Sequence, residues 1–332
     1  MKLQHETHII TTITARRVQT LLTMLEVLIL IAFVGTVTTV FSLFALLLFR
    51  LVKNQLNKRP STLSRRDRII LPLGIIGVIC VLYGLFIEPY WLSVEHVKLL
   101  SDKIPEGQSL RVIQLSDLHC DPKVRLERKL PGVIAAEKPD LIVFTGDSIN
   151  SPAGLPIFRE LMTNLAKIAP TYVVAGNWDT SFFKTSDRFG GTGVSELVNK
   201  PAMLTLRGIH LCIGGLPVDT SVKVSEVFQN VPEQNYKIFL FHYPDYIEDM
   251  EHNKVDLYLA GHTHGGQVAM PFYGALITLS KRGKQFESGL HKLGNTYEYT
   301  NRGIGMEGGN APRVRFLARP EVTVFDISGI TK

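Results

Sequence analysis

The chain has 332 residues, a formal net charge of +6 and 45% hydrophobic residues. That length leaves room for one domain of ordinary enzyme size beyond a leading segment, and 3 cysteines are too few to imply a disulfide framework. The positive excess lies in the front third, so the remainder lacks the charge footprint that nucleic acid needs, and no nucleic-acid partner is expected.

In chain order, residues 21–49 come first, with one acid, Glu26, among apolar and small polar side chains. Residues 69–87 follow as a second apolar run with no charge. Both are long enough to cross a hydrocarbon core of about 30 Å, which predicts a transmembrane helical hairpin. The first run is too long and starts too far in for a cleaved signal peptide. Glu88-Pro89-Tyr90-Trp91 closes the second run with an interfacial aromatic pair. Between the runs, Arg50, Lys53, Lys58, Arg65, Arg66 and Arg68 oppose Asp67. The positive-inside rule puts this loop in the cytoplasm and both flanks outside. Lys2, Arg16 and Arg17 pull the amino terminus the other way, which leaves the cytoplasmic side open for the remainder of the chain. Residues 1–91 therefore read as a membrane anchor, 92–108 as a linker, and 109–332 as the functional domain.

Within that domain, Leu110–Leu115, Leu141–Phe144, Tyr172–Ala175, Lys237–Phe241 and Val255–Ala260 are short apolar runs that read as strands. Val124–Glu137 and Leu155–Ile168 read as helices between the first of them, giving βαβ units. After residue 264 the pattern turns to glycine-rich, strand-like pieces: Thr296–Thr300, Val314–Leu317 and Val322–Ile327. These are expected to form a second sheet packed on the first.

Each of the five apolar runs ends in a polar segment. They are Asp117-Leu-His119, Gly146-Asp147, Gly176-Asn177-Trp178-Asp179, His242 and Gly261-His262-Thr-His264. Ligands on loops at the carboxyl ends of strands lie at the usual active edge of an α/β sheet. Two aspartates, an asparagine and four histidines suit a pair of divalent cations that share a carboxylate and activate a water. Imidazoles select transition metals over magnesium or calcium. Manganese is the expected metal, and zinc and iron also suit these ligands.

These segments, in this order, resemble the pattern D-x-H, G-D, G-N-H-[DE], H, G-H-x-H of the calcineurin-like metallophosphoesterases. The resemblance covers residues from about 108 to the C-terminus, about two thirds of the chain. The tail, with Asn301-Arg302-Gly303 and Arg315, is similar to a membrane-attached bacterial branch. The resemblance implies a four-layer α/β/β/α sandwich. It implies that Asp117, His119, Asp147 and His264 surround one metal, and Asp147, Asn177, His242 and His262 the other, with Asp147 bridging. Asp147, Asn177 and Asp179 are the expected catalytic residues. Trp178, Arg282 and Arg302 are the expected substrate contacts.

The chain departs from the pattern at Trp178, where the family has histidine. Indole offers no proton for transfer. Either the leaving group needs no acid, as in pyrophosphate cleavage, or His210, His291 or a water held by Asp179 supplies the proton. Weakened activity is the third reading. Asp179 fits a role beside a ligand or metal-bound water, and Cys120 reads as a small turn residue more than a ligand. The expected function is hydrolysis of a phosphodiester or pyrophosphate bond in a phosphorylated lipid or small molecule at the membrane. The resemblance suggests UDP-2,3-diacylglucosamine, cut to lipid phosphate and UMP. An extracytoplasmic envelope phosphodiesterase and a metal-binding scaffold are the alternatives, and oligomeric state stays open.

Overall fold

The computed structural model describes residues 2–307 and 313–330, with side chains from residue 24 onward. The charges of Lys2, Arg16 and Arg17, and residues 308–312 and 331–332 of the expected domain, lie outside that description. The chain divides into two compact units, Met1–Ile87 and Glu88–Lys332.

The first unit is two helices, α1 (Lys2–Leu56) and α2 (Asp67–Phe86). Met24–Leu56 within α1, and Asp67–Tyr90, which runs from α2 into the turn after it, are stretches long and apolar enough to cross a membrane. The helices meet where α2 has no side chain. A Cβ on Gly77 would sit 2.8 Å from the Phe41 ring, and one on Gly74 would overlap Phe44. Such small-residue contacts are how apolar helices approach closely without a hydrophobic driving force. Asp67 starts α2 by pairing with Arg50 of α1 at 2.5 Å and accepting the Ser64 N–H at 2.8 Å.

The second unit is built on two six-stranded sheets. The first runs β1 (Ser93–Ser101), β14 (Glu321–Gly329), β2 (Ser109–Leu115), β3 (Leu141–Phe144), β4 (Thr171–Val173), β5 (Ser195–Glu196). The second runs β12 (Gly289–Leu293), β13 (Thr296–Thr300), β9 (Leu257–Ala260), β8 (Tyr236–Leu240), β7 (Ile209–Gly215), β6 (Ala202–Leu206). Strands β2 to β5 are parallel, as are β7, β8, β9 and β13. Leu110, Val112, Leu141, Val143 and Phe325 of one sheet pack on Leu211, Ile238, Leu240, Leu257 and Tyr299 of the other. The strands' opposite faces are covered by helices. α3 (Leu130–Ala136) and α4 (Leu155–Ile168) cover the first sheet, with Phe158, Leu161 and Leu165 buried. α6 (Val224–Phe228) and α7 (Ile247–His252) cover the second, with Phe228 and Met250 buried. The result is the expected α/β/β/α order of layers.

Four local expectations are corrected. Residues 92–108 are no linker: Ser93–Ser101 forms a nine-residue strand paired parallel with β14 from Ser93↔Glu321 to Ser101↔Gly329. Val97 and Leu99 face the core between the sheets and Val94 the opposite face, and the strand ends the sheet as an edge. The chain crosses to the second sheet after β5, not after residue 264, and β14 returns to the first sheet by pairing antiparallel with β2. The helix expected over 124–137 is confined to Leu130–Ala136, because Glu127 turns back to accept the Arg125 N–H at 2.6 Å and Pro131 favours a helix start. Val314–Leu317 is not a strand and makes only an isolated bridge, Phe316 with Val268.

Candidate metal centre

Parallel strands in both sheets deliver their polar ends to one edge of the sandwich. Asp117 and His119 follow β2, Asp147 follows β3, and Asn177 opens α5 (Asn177–Phe182) just after β4. From the second sheet, His242 follows β8, and His262 and His264 follow β9. Backbone bonds knit these loops: Asp117 N–H to Gly146 O at 2.9 Å, His119 N–H to Asp147 O at 3.0 Å, and Gly261 N–H to His242 O at 3.0 Å. Gly261 has no side chain because a Cβ there would overlap Ser116 Oγ and Asp117 Oδ2.

Five of the polar residues hold left-handed backbone: Asp117 (φ 47°), His119 (40°), Asp147 (60°), His262 (73°) and His264 (54°). Such angles are uncommon outside glycine and cost on the order of 1–3 kcal/mol each where the surroundings enforce them.

The side chains converge. Asp147 Oδ2 lies 3.6 Å from His119 Nε2 and 3.2 Å from His242 Nε2. Asp117 Oδ1 lies 3.3 Å from His264 Nε2 and 3.9 Å from His242 Nε2. Two groups of ligand atoms close enough for an ion result: Asp117, His119 and His264, and Asp117, Asp147 and His242. Asp117 is common to both groups by distance, whereas Asp147 sits between one imidazole of each expected metal. His262 borders the centre, its ring 5.1 Å from that of His242.

Second partners fix which imidazole nitrogen faces inward. His242 Nδ1 is 2.8 Å from the Thr145 carbonyl oxygen, so Nδ1 donates and Nε2 keeps its lone pair. His119 Nδ1 meets Asn150 at 3.0 Å, and the Asn150 amide is held by the carbonyls of His119 and Met306. Asn150 Oδ1 therefore accepts, and His119 Nε2 also faces inward bare. His119 Nε2, His242 Nε2, His264 Nδ1 and Asn177 Oδ1 are buried without a hydrogen-bond partner. The Nε2 lone pairs of His119 and His242 face Asp147 Oδ2 at 3.6 and 3.2 Å and are repelled unless positive charge sits between them. This donor set fits a pair of divalent cations.

Without cations a proton partly fills the role. Burial disfavours a charge on His242, but Asp147 and Asp117 outweigh it and push its pKa up to about 9. Burial lowers His119 and His262 to about 4 each and holds His264 well below its ordinary value. Burial, with the charge of Asp147 added, raises Asp117 to about 7 although His242 opposes it. Asp147 is held low, because the histidines around it overcome its own burial.

The other expected site residues divide. Trp178 stands at the centre: its ring meets His119 edge-on at 5.5 Å and packs on Phe182 at 4.7 Å, and its backbone N–H donates to Asp147 Oδ1 at 2.8 Å. Asp179 has a different part from the catalytic one expected. Its buried carboxylate accepts the N–H groups of Gly176, Asp147 and Ser148 at 2.9–3.0 Å and faces Arg188 at 3.5 Å, which leaves it no access to substrate. Arg282 is taken up by Glu248 through two bonds of 2.5 and 2.6 Å. Arg302 pairs with Glu95 of β1 at 2.8 Å and Glu321 of β14 at 2.6 Å. Both arginines are held in ion pairs within the fold. His210 lies at the start of β7, the end of the strand remote from His242, and His291 packs on Phe286 in mid-strand.

Sequence reading passed over Asn150, Arg188 and the structural part of Arg315. The last is fully buried and donates to the carbonyls of Arg302, Gly303, Gly305 and Ala318. It thereby holds Gly303 against Asp117, where a Cβ would come within 2.5 Å of the Asp117 Cβ. A lone arginine in a tail carries no sequence signal for that work.

The residues from 110 to 266 match the calcineurin-like phosphoesterase family model. A Bacillus subtilis protein, the uncharacterized metallophosphoesterase YkuE, is 33% identical over 74% of this chain and 88% of its own length. With a sandwich of this topology and that degree of likeness, the chain belongs to the calcineurin-like metallophosphoesterases, a family of hydrolases acting on phosphate esters. Phosphodiesterase YaeI of Escherichia coli is 28% identical, covering 74% of this chain and 92% of its own. The UDP-2,3-diacylglucosamine pyrophosphatase LpxG of Chlamydia muridarum is 23% identical, covering 72% of this chain and 90% of its own.

Proposed function

We propose that the chain hydrolyses a phosphodiester or pyrophosphate bond of a membrane-associated lipid at a centre of two divalent cations, manganese being the metal expected. The observation that carries this reading is the placement of Asp147 Oδ2 between the inward nitrogens of His119 and His242. Asp117, His119, Asp147 and His264 would hold one cation, and Asp147, Asn177, His242 and His262 the other. When bound, such a pair polarises the phosphoryl oxygens and acidifies the attacking water. Thr145 and Asn150 keep His242 and His119 in the ligating tautomer, and Asp179 holds the Asp147 loop. Trp178 walls the centre where an acid would otherwise stand, so the leaving group must depart without a proton from that position. A phosphate or nucleotide leaving group meets this condition.

Two features support a lipid. The helices α1 and α2 have the length to cross a membrane. The relative named as a UDP-2,3-diacylglucosamine pyrophosphatase makes that glycolipid the candidate substrate. The basic loop between the helices favours a second reading, an envelope phosphodiesterase on the outer side of a bacterial inner membrane.

The test is hydrolysis by detergent-solubilised protein, metal-stripped and resupplied with manganese. Manganese-dependent release of UMP from UDP-diacylglucosamine supports the first substrate. Turnover of bis-p-nitrophenyl phosphate alone keeps the hydrolase and moves the substrate to the outer side, and no turnover of either contradicts the proposal.

A further inference from the structure

The rim of the candidate metal centre bears large apolar side chains turned to solvent. Phe272 is fully exposed at the tip of a hairpin between β10 (Ala269–Met270) and β11 (Gly274–Ala275), and Leu279 and Leu317 are 60% and 50% exposed. All three hold left-handed backbone, at φ 64°, 57° and 55°. Bulky residues seldom adopt it, and strain at a side chain outside the core is not something folding alone requires. This rim is joined to the ligand loop. The Leu279 carbonyl lies 3.3 Å from His262 Nε2, and Phe316 N–H donates at 2.8 Å to Gln267, whose own N–H bonds His264 O.

The loop carrying Leu317 is also tied to the segment that directly follows α2 in the chain. Glu88, fully buried, accepts the N–H groups of Leu317 at 2.9 Å and Ala318 at 2.5 Å. Arg319 donates to the carbonyls of Trp91 and Leu92 at 3.0 and 2.9 Å, with its guanidinium 4.3 Å over the Trp91 ring. Helix α2 ends at Phe86, two residues before Glu88. At no more than about 3.5 Å of chain per residue, the boundary of any membrane that α2 enters lies within a few residues of Leu317. Tyr90 and Trp91, 46% and 52% exposed, are the amphipathic rings that settle at headgroup depth.

We propose that Phe272, Leu279 and Leu317 form a membrane-contact rim that seats the mouth of the metal centre on the bilayer entered by this chain's own apolar helices. The proposal rests on reading those helices as membrane-spanning. It brings a lipid's phosphate to the centre at headgroup level, with the acyl chains still in the leaflet.

The test uses the full chain in a Cys80→Ser background, where Cys120 and Cys212 are buried. A fluorescent label is attached singly at Phe272→Cys, Leu317→Cys or Met203→Cys, the last an exposed position on β6 at the far edge of the second sheet. In vesicles of phosphatidylcholine brominated on its acyl chains, the labels at 272 and 317 are expected to lose most of their fluorescence and the label at 203 none. Equal response at all three positions, from a chain that alkaline carbonate does not extract, overturns the rim and leaves the helices' reading standing. Extraction of the unmodified chain by carbonate overturns both. Disulfide crosslinking of two copies through Phe272→Cys, with no quenching, assigns the patch to a second copy and overturns the bilayer contact.

Discussion

The Asp179 carboxylate accepts the backbone N–H of Asp147 at 2.9 Å, so the residue placed between two imidazoles is itself held by a buried anion. The same oxygen takes the Gly176 N–H at 3.0 Å, locking the loops after β3 and β4 to each other. Burial and the charge of Asp147 raise the pKa of Asp179, while Arg188 and the backbone donors oppose them. Asp179→Asn replaces one of its two acceptor oxygens with an NH2 donor, so at least one of the three N–H groups loses its partner. Metal affinity should fall by roughly 10–100-fold, the usual cost of losing an outer support of a ligand. Metal content after dialysis checks it, and full retention would show that the Asp147 loop holds itself.

Gly261→Ala tests the close approach of the second sheet's ligand loop to Asp117. The new Cβ would overlap Ser116 Oγ and Asp117 Oδ2, so Asp117 must move while the strands stay paired. The expected result is lost metal binding with unchanged circular dichroism. Normal metal content would mean that the loop has slack that the packing denies.

Trp178 stands 5.5 Å from the His119 ring, near enough for an imidazole in its place to reach a leaving oxygen. Trp178→His should therefore raise the rate on substrates with poor leaving groups by up to the roughly 10²–10⁴-fold that general acids supply, and leave good leaving groups little changed. The slope of log rate against leaving-group pKa reads this out. An identical slope in the two proteins would place the missing acid elsewhere.

Much of this was legible in the chain. Every ligand motif follows an apolar run, and the structure brings those runs' polar ends to one edge of the sandwich. The assignment of strands to sheets was not legible, because β8, β9 and β14 read as equally apolar and only long-range pairing distinguishes them. Glu95, His96 and Lys98 concealed β1, since an edge strand tolerates charges on its open side. Arg302 and Arg282 looked free for substrate because their partners are distant in sequence, Glu95 by 207 residues and Glu248 by 34. Asn150 carries no signal until His119 is seen beside it.

Glu298 provides a pH test outside the site. It is buried on β13, accepts from Thr300 Oγ1 at 2.6 Å, and burial raises its pKa well above the ordinary 4.5. Below pH 4.5 the group is protonated in both folded and unfolded chains. As pH rises past that value the unfolded chain ionises and the folded one does not, so stability declines towards the folded pKa. Glu298→Gln should thus raise the urea midpoint at neutral pH and change it little in acid. An equal shift at both would trace the effect to packing.

The most direct test of the dinuclear reading is manganese stoichiometry measured beside aryl diester turnover, for the wild type and Asp147→Asn. Two manganese ions per chain, turnover that follows their loading, and loss of most of both in the variant are predicted. Metal-independent turnover, or a variant as active as the wild type, would contradict it.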